Sequence, residues 1–73
     1  MRLSATITVQ EEPELVMRVF AAEDKAFKHG RSSYSIEQQG GKVVITAEAS
    51  DPTALRATVT SITRILNIIE KTK

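Results

Sequence analysis

Residues 47–69, AEASDPTALRATVTSITRILNII, contain the end of an alternating apolar segment, an Asp-Pro pair and the longest helical pattern of the chain. Asp51 is a strong N-cap candidate, because its carboxylate can accept a backbone N–H of the first turn. Pro52 suits the position that follows, because the first helical residue needs no amide partner. The sequence therefore predicts a long helix that begins after a structural cap at Asp51.

Two neighbouring stripes run along this predicted helix. The first stripe recurs at a 4, 3, 4, 3 spacing, which is typical of a face packed on a sheet or another helix. It consists of Leu55, Val59, Ile62, Leu66 and Ile69. The second stripe is small or apolar almost throughout and consists of Ala54, Ala57, Thr58, Ser61, Ile65 and Ile68. Together the stripes span roughly 200°, about twice the usual apolar stripe, so we expect the other helix of the chain or a partner to cover the second one.

The first part of the chain predicts a strand followed by a helix. Residues 3–9 alternate between apolar and polar side chains, the pattern of a half-buried strand. Residues 11–27 carry acids and a proline in their first turn, as helix N-termini prefer. A broad apolar side of this helix contains Leu15, Val16, Val19, Phe20, Ala26 and Phe27.

The middle of the chain predicts a β-hairpin. Residues 31–39 and 42–49 both alternate, and Gly40 and Gly41 between them can supply the positive φ angles of a tight turn. A right-handed crossover makes the first two strands parallel, and the third fits between them, antiparallel to both. We therefore expect an α+β fold of the βαββα type, a three-stranded antiparallel sheet of order 1-3-2 with two helices packed on one face, as a single domain over residues 1–73.

Size and composition limit the kinds of protein this can be. A chain of 73 residues buries only about 60% of its unfolded surface, so self-association is a reasonable expectation. There is no cysteine, no apolar segment long enough for a bilayer and no signal-like N-terminus, which favours a cytoplasmic protein without membrane contact. The net charge of +1 argues against a dedicated nucleic-acid binder.

Candidate catalytic residues are scarce. His29 is the only histidine and lies in a predicted loop, and Asp51 already has a capping role. Gly40 and Gly41 join two strands, whereas a phosphate-binding loop would precede a helix. We expect no enzymatic activity, no metal site and no cofactor. The basic cluster of Lys25, Lys28, His29 and Arg31 could contact a phosphate backbone such as that of tRNA, or simply remain solvated.

The strand-to-helix segment at residues 45–64, ITAEASDPTALRATVTSITR, resembles the small dimerising subunit of the KEOPS tRNA-modifying complex. The human relatives in this polarised growth chromatin-associated controller family include cancer/testis antigens. Gly30-Arg31-Ser32 is similar to the Gly-Arg-Ser entry to the second strand of that family. Two features differ, because Thr60-Ser61 stands where the family commonly has Asn-Ser, and the proline often found after the first helix is missing.

The resemblance implies a non-catalytic scaffold that forms a homodimer in the KEOPS complex. Such a scaffold docks N-terminal helices of the threonylcarbamoyl transferase subunit. This subunit is a sugar-kinase-like enzyme that makes N6-threonylcarbamoyladenosine in tRNA. An atypical kinase and a further accessory subunit complete the complex. The reaction's metal and nucleotide belong to the partner. The expected partner-binding residues are Leu15, Val19, Ala22, Ala57, Thr58, Ser61, Ile65 and Ile68. Ser61→Arg or Ile65→Asp is then expected to abolish partner binding and leave the fold largely intact.

Two other functions fit the same pattern of elements. A stand-alone small KH-like RNA-binding domain would use the loop from Lys25 to Arg31, although the GXXG clamp of KH modules is missing. Such a domain would bind RNA without a protein partner and with strong salt dependence. A small-molecule sensor of the βαββα type is the third interpretation, but sensors of this type usually carry a fourth strand.

Overall fold

The structure, a computed structural model, describes residues 1–22 and 32–71. The elements are β1 (Leu3–Val9), α1 (Pro13–Ala22), β2 (Ser32–Gln39), β3 (Lys42–Ala49) and α2 (Pro52–Lys71). This βαββα order confirms the one predicted from the sequence. The predicted continuation of the first helix, with Ala26 and Phe27, and the basic loop lie outside the described residues.

The three strands form one antiparallel sheet of order β1-β3-β2, as predicted. β1 pairs with β3 from Leu3 opposite Ala49 to Val9 opposite Val43. β2 pairs with the other side of β3, from Ser32 opposite Ala49 to its end beside the turn. β1 and β2 therefore run parallel to each other, and each has one edge free of strand pairing within the described residues.

The turn between β2 and β3 differs in one detail from the expectation. Gln39 pairs with Lys42, so Gly40 and Gly41 form a two-residue loop. Of the two glycines, Gly40 alone has a positive φ, of 62°, whereas the sequence predicts positive angles at both. A positive φ at the first central residue alone is typical of a type II′ turn, whose twist also matches that of a hairpin.

The start of α1 is held in a strained conformation. Glu12 has a φ of 45°, a left-handed angle that non-glycine residues seldom adopt. Its carbonyl oxygen accepts a hydrogen bond of 3.1 Å from the Val16 backbone N–H, the first bond of the helix. Pro13 follows as the first helical residue, where its missing N–H costs nothing.

The core lies between one face of the sheet and both helices, which therefore cover the same face. Its buried members are Val16, Phe20, Val43, Ile45, Ala47, Ile62, Ile65 and Ile69. Phe20 also meets the ring of Tyr34 edge-on, with ring centroids 5.9 Å apart. The opposite face of the sheet is polar and exposed at Ser4, Thr6, Thr8, Ser33, Ser35, Glu37 and Glu48. Neither helix in the described part of the chain has the length and apolarity needed to cross a bilayer.

Candidate partner-docking surface

The position of α2 is set at its first turn by Asp51. One carboxylate oxygen of Asp51, Oδ1, accepts a hydrogen bond of 2.8 Å from the Ala54 backbone N–H. The backbone carbonyl of Asp51 accepts the N–H of Leu55 at 3.1 Å. Asp51 therefore acts as an N-cap that fixes where the helix begins after β3.

The side of α2 that faces the core is rotated from the side expected on apolar spacing. The buried residues are Ala54, Thr58, Ile62, Ile65 and Ile69. Leu55, Val59 and Leu66, which the sequence analysis places at the centre of the core face, are only half-buried. The row of α2 residues that contacts the core thus runs between the two predicted stripes and includes residues from both.

Thr58 and Ile65, two of the expected partner-binding residues, are directed into the chain's own core. Thr58 is 1% exposed and Ile65 is 7% exposed. Thr58 can be buried because its hydroxyl group donates a hydrogen bond of 2.7 Å to Oγ of Ser32. The burial of Ile65 argues against the expectation that Ile65→Asp leaves the fold intact, because the change would bury a carboxylate among apolar side chains.

The other expected partner-binding residues are accessible. Ala22, Ala57 and Ile68 are exposed, and Leu15, Val19 and Ser61 are half-buried. Ile68 is 55% exposed, and Met1 is the only other exposed large hydrophobic residue within residues 1–22 and 32–71. By helical geometry, Ala57, Ser61 and Ile68 lie on one flank of α2, and Leu15, Val19 and Ala22 lie on one flank of α1.

We call these six accessible residues the helix surface. The two helices that carry them contact each other on the same face of the sheet. Small side chains at Ala22, Ala57 and Ser61 leave the helix backbones approachable, and Ile68 stands out from them as an apolar projection. This geometry can receive a further helix by side-chain packing.

A second apolar site lies on the opposite flank of α2, where the helix passes β1. It is a groove of about 370 Å³ between the end of β1, the start of α1 and the end of α2. We call it the β1 groove. Its apolar lining consists of Ile7, Val9, Val16, Leu66 and Ile69, and Glu11 and Glu70 carry its carboxylates. The apolar spacing of α2 does not predict this groove, and the only sequence signal for it is Leu66 followed four residues later by Glu70, an apolar residue with an acidic neighbour on the same side of the helix.

Polar and charged groups of the described residues offer little for chemistry. Within residues 1–22 and 32–71, no group of three or more His, Asp or Glu side chains is arranged to hold a metal ion. Arg56 and Arg64 are exposed on the polar side of α2. Lys25, Lys28, His29 and Arg31, the candidate tRNA contacts, lie outside the described residues, so their arrangement stays a prediction.

Comparison with known proteins gives one family. Residues 2–73 match the family model described as transcription factor Pcc1, which covers every element from β1 to α2. No curated protein matches the chain at a significant level. The match agrees with the similarity to the small KEOPS subunit found at residues 45–64. The chain therefore belongs to the Pcc1 family, whose members are accessory subunits associated with the KEOPS complex.

Proposed function

We propose that this chain is the non-catalytic dimerisation and scaffold subunit of a KEOPS complex, and that its helix surface docks the threonylcarbamoyl transferase subunit. The observation that carries this proposal is the exposure of Ile68, at 55%, on the same flank of α2 as the small residues Ala57 and Ser61. An exposed aliphatic side chain in line with small residues on one flank of a helix suits the docking of a partner helix. The transferase, with its sugar-kinase-like fold, would place N-terminal helices against this surface.

Packing considerations support a helix as the docked element. Helices pack with their axes about 8–10 Å apart, and the closer distances require small side chains at the contact. Ala22, Ala57 and Ser61 meet that requirement, and Leu15 and Val19 extend the apolar area along α1. Burial of Ile68 and its neighbours would contribute about 25 cal/mol for each Å² of apolar surface removed from water.

The chemistry of the proposed function belongs to the partner. The transferase subunit would bring the metal and the nucleotide and would modify adenosine of tRNA to N6-threonylcarbamoyladenosine. This chain would contribute position, because two scaffold copies in a homodimer hold two transferase subunits at a fixed separation. The atypical kinase and the further accessory subunit would then associate through the transferase arm and touch this chain only indirectly.

The experiment is a titration of the chain with the transferase subunit by calorimetry, using variants of α2. Ile68→Asp and Ser61→Arg should each weaken binding by roughly 30-fold or more, the loss expected for a central interface residue. Asn67→Asp is the matched control, because Asn67 is exposed next to Ile68 on the polar side of α2. It should bind as the unaltered chain does.

Two results would contradict the proposal. Equal transferase affinity in Ile68→Asp, Ser61→Arg and Asn67→Asp would exclude the helix surface as the docking site. A chain that ignores the transferase but binds tRNA at low salt, with affinity falling steeply as salt rises, would instead favour the stand-alone RNA-binding domain.

A further inference from the structure

Basic side chains border the helix surface on α2. Arg64 follows Ser61 by three positions and precedes Ile68 by four, so it lies beside both on the outer side of that flank. Lys71 follows Ile68 by three positions and continues the same side. Arg64 and Lys71 are both exposed and lie seven residues apart, which is about 10 Å along the helix axis. The border of the helix surface is therefore basic over the last two turns of α2.

The first helix, α1, adds a third basic side chain to this border. Arg18 is exposed, follows Leu15 by three positions and precedes Ala22 by four, so it lies beside the α1 part of the helix surface. The start of α1 and the end of α2 lie close together, because Val16 and Leu66 line the same groove. The three cationic groups therefore occupy the half of the helix surface where α1 begins and α2 ends. We call them the basic margin, which consists of Arg18, Arg64 and Lys71.

The basic margin has no acidic partner within residues 1–22 and 32–71. None of its three cationic groups takes part in an ion pair or a side-chain hydrogen bond in these residues, although Glu14 lies only one turn before Arg18. The carboxylates of Glu11 and Glu70 border the β1 groove instead. Charge is thus divided across α2, with acids beside the β1 groove and cations beside the helix surface.

This charge distribution selects the kind of helix that can dock. A partner helix with lysines or arginines beside its apolar stripe would meet like charges at the basic margin, whereas aspartates or glutamates would meet opposite charges. Charged residues that flank the apolar contact between two helices set partner choice and orientation. Ala57, nearer the start of α2, is bordered by the uncharged Thr53 and Thr60. The helix surface therefore favours acidic side chains at one of its ends and not at the other.

We propose that the helix surface takes an amphipathic helix with acidic side chains beside its apolar stripe, and that their pairing with the basic margin fixes the orientation of that helix. The inference rests on the proposed function, in which the partner is the transferase subunit, and adds the charge of the docking helix. Ile68 supplies the apolar contact, and Arg18 and Arg64 steer association. Lys71 also offsets the negative end of the α2 dipole, so the tests use the two arginines.

Charge reversal at the two arginines of α2 gives a matched comparison. Arg64 and Arg56 are both exposed, and reversal changes the net charge equally, but Arg56 has Pro52 and Val59 as neighbours one turn away and does not border the helix surface. Arg64→Glu should weaken transferase binding by about tenfold, because it sets like charges against each other. Arg18→Glu should weaken it by a similar factor. Arg56→Glu should change it by less than about twofold, because salt screens distant exposed charges.

Binding kinetics distinguish charge steering from apolar contact. Charges at the rim of an interface act mainly on the association rate, whereas most other interface changes act on dissociation. In biolayer interferometry with nucleic-acid-free transferase, most of the loss in Arg64→Glu should appear in the association rate, and most of the loss in Ile68→Asp in the dissociation rate. Raising salt from about 50 to about 500 mM should weaken binding of the unaltered chain by about tenfold. The Arg18→Glu, Arg64→Glu double variant should not weaken further.

The outcomes separate this inference from the proposed function. Salt-independent binding, with equal affinities for Arg64→Glu and Arg56→Glu, would overturn the acidic docking helix and leave transferase docking in place. Tighter binding by Arg64→Glu would overturn it as well, because the docking helix would then be basic beside this margin. An unaltered chain that does not bind the transferase, or full affinity in Ile68→Asp, would overturn the proposed function together with the inference. If Arg64→Glu lowers the melting temperature, Arg64→Gln replaces it and should weaken binding by about threefold.

Discussion

The hydroxyl group of Thr58 donates a hydrogen bond of 2.7 Å to the hydroxyl oxygen of Ser32, which joins the second turn of α2 to the first residue of β2. Thr58 is 1% exposed, the most deeply buried polar side chain of the described residues. A threonine at this depth is stable only because its hydroxyl has a partner. Together with the buried Ile62, Ile65 and Ile69, the pair favours this rotation of α2 about its axis, in which Ile68 faces outward.

Replacing Thr58 by valine tests this hydrogen bond with little change of volume. Thr58→Val should lower the free energy of unfolding by about 1 kcal/mol. Ser32→Ala should cost a similar amount, and the double variant should cost little more than either one, because both changes remove the same bond. Urea unfolding of the four proteins measures this coupling. Strictly additive losses would show that the bond contributes nothing of its own.

This hydrogen bond also explains why the sequence predicts the elements of the fold better than the faces of its last helix. Alternation in β1 and β3 and the Asp51-Pro52 start of α2 are local signals, and each element appears where they indicate. Which side of α2 faces the sheet depends on Ser32, 26 residues from Thr58 in the chain. The apolar spacing predicts that the larger side chains of Leu55, Val59 and Leu66 face the sheet. In the structure, the smaller Ala54 and Thr58 are buried there instead.

The same rotation decides how much of the candidate site could be predicted. Of the expected partner contacts on α2, Ala57, Ser61 and Ile68 are accessible because they lie farther from the row of residues that contacts the core. Ile65 belongs to that row and is buried. The β1 groove could not be predicted from either helix alone, because β1, α1 and α2 all contribute to it.

Ile65 and Ile68, one turn apart on α2, should respond in opposite ways to the same substitution. Ile65→Asp removes a core side chain and buries a carboxylate, so we expect a loss of at least about 3 kcal/mol in unfolding free energy. Ile68→Asp alters an exposed position and should stay within about 1 kcal/mol of the unaltered chain. Chemical denaturation followed by circular dichroism measures both. Similar stability of the two variants would contradict the assignment of the core face.

The N-cap of α2 can be tested at Asp51. Asp51→Ala removes the acceptor for the Ala54 N–H and should destabilise the chain by about 1 kcal/mol, within the usual range of about 0.5–2 for caps. Asp51→Asn keeps an oxygen acceptor and should retain most of the stability. Thr53→Ala, an exposed change in the same turn, serves as the control. If Asp51→Ala unfolds at the same denaturant concentration as Thr53→Ala, the side-chain bond does not hold the helix start.

The two glycines of the β2-β3 turn provide the last comparison. Gly40 has a φ of 62°, a left-handed angle that costs other residues about 1–2 kcal/mol. Gly41 has no positive φ, and a Cβ atom added to either glycine would meet nothing within 4 Å. Gly40→Ala should therefore destabilise the hairpin by about 1 kcal/mol through backbone strain alone. Gly41→Ala should be neutral or stabilise by up to about 1 kcal/mol, because alanine restricts the unfolded chain. Thermal unfolding of the two variants measures the difference, and equal melting temperatures would exclude a type II′ turn with its strained position at Gly40.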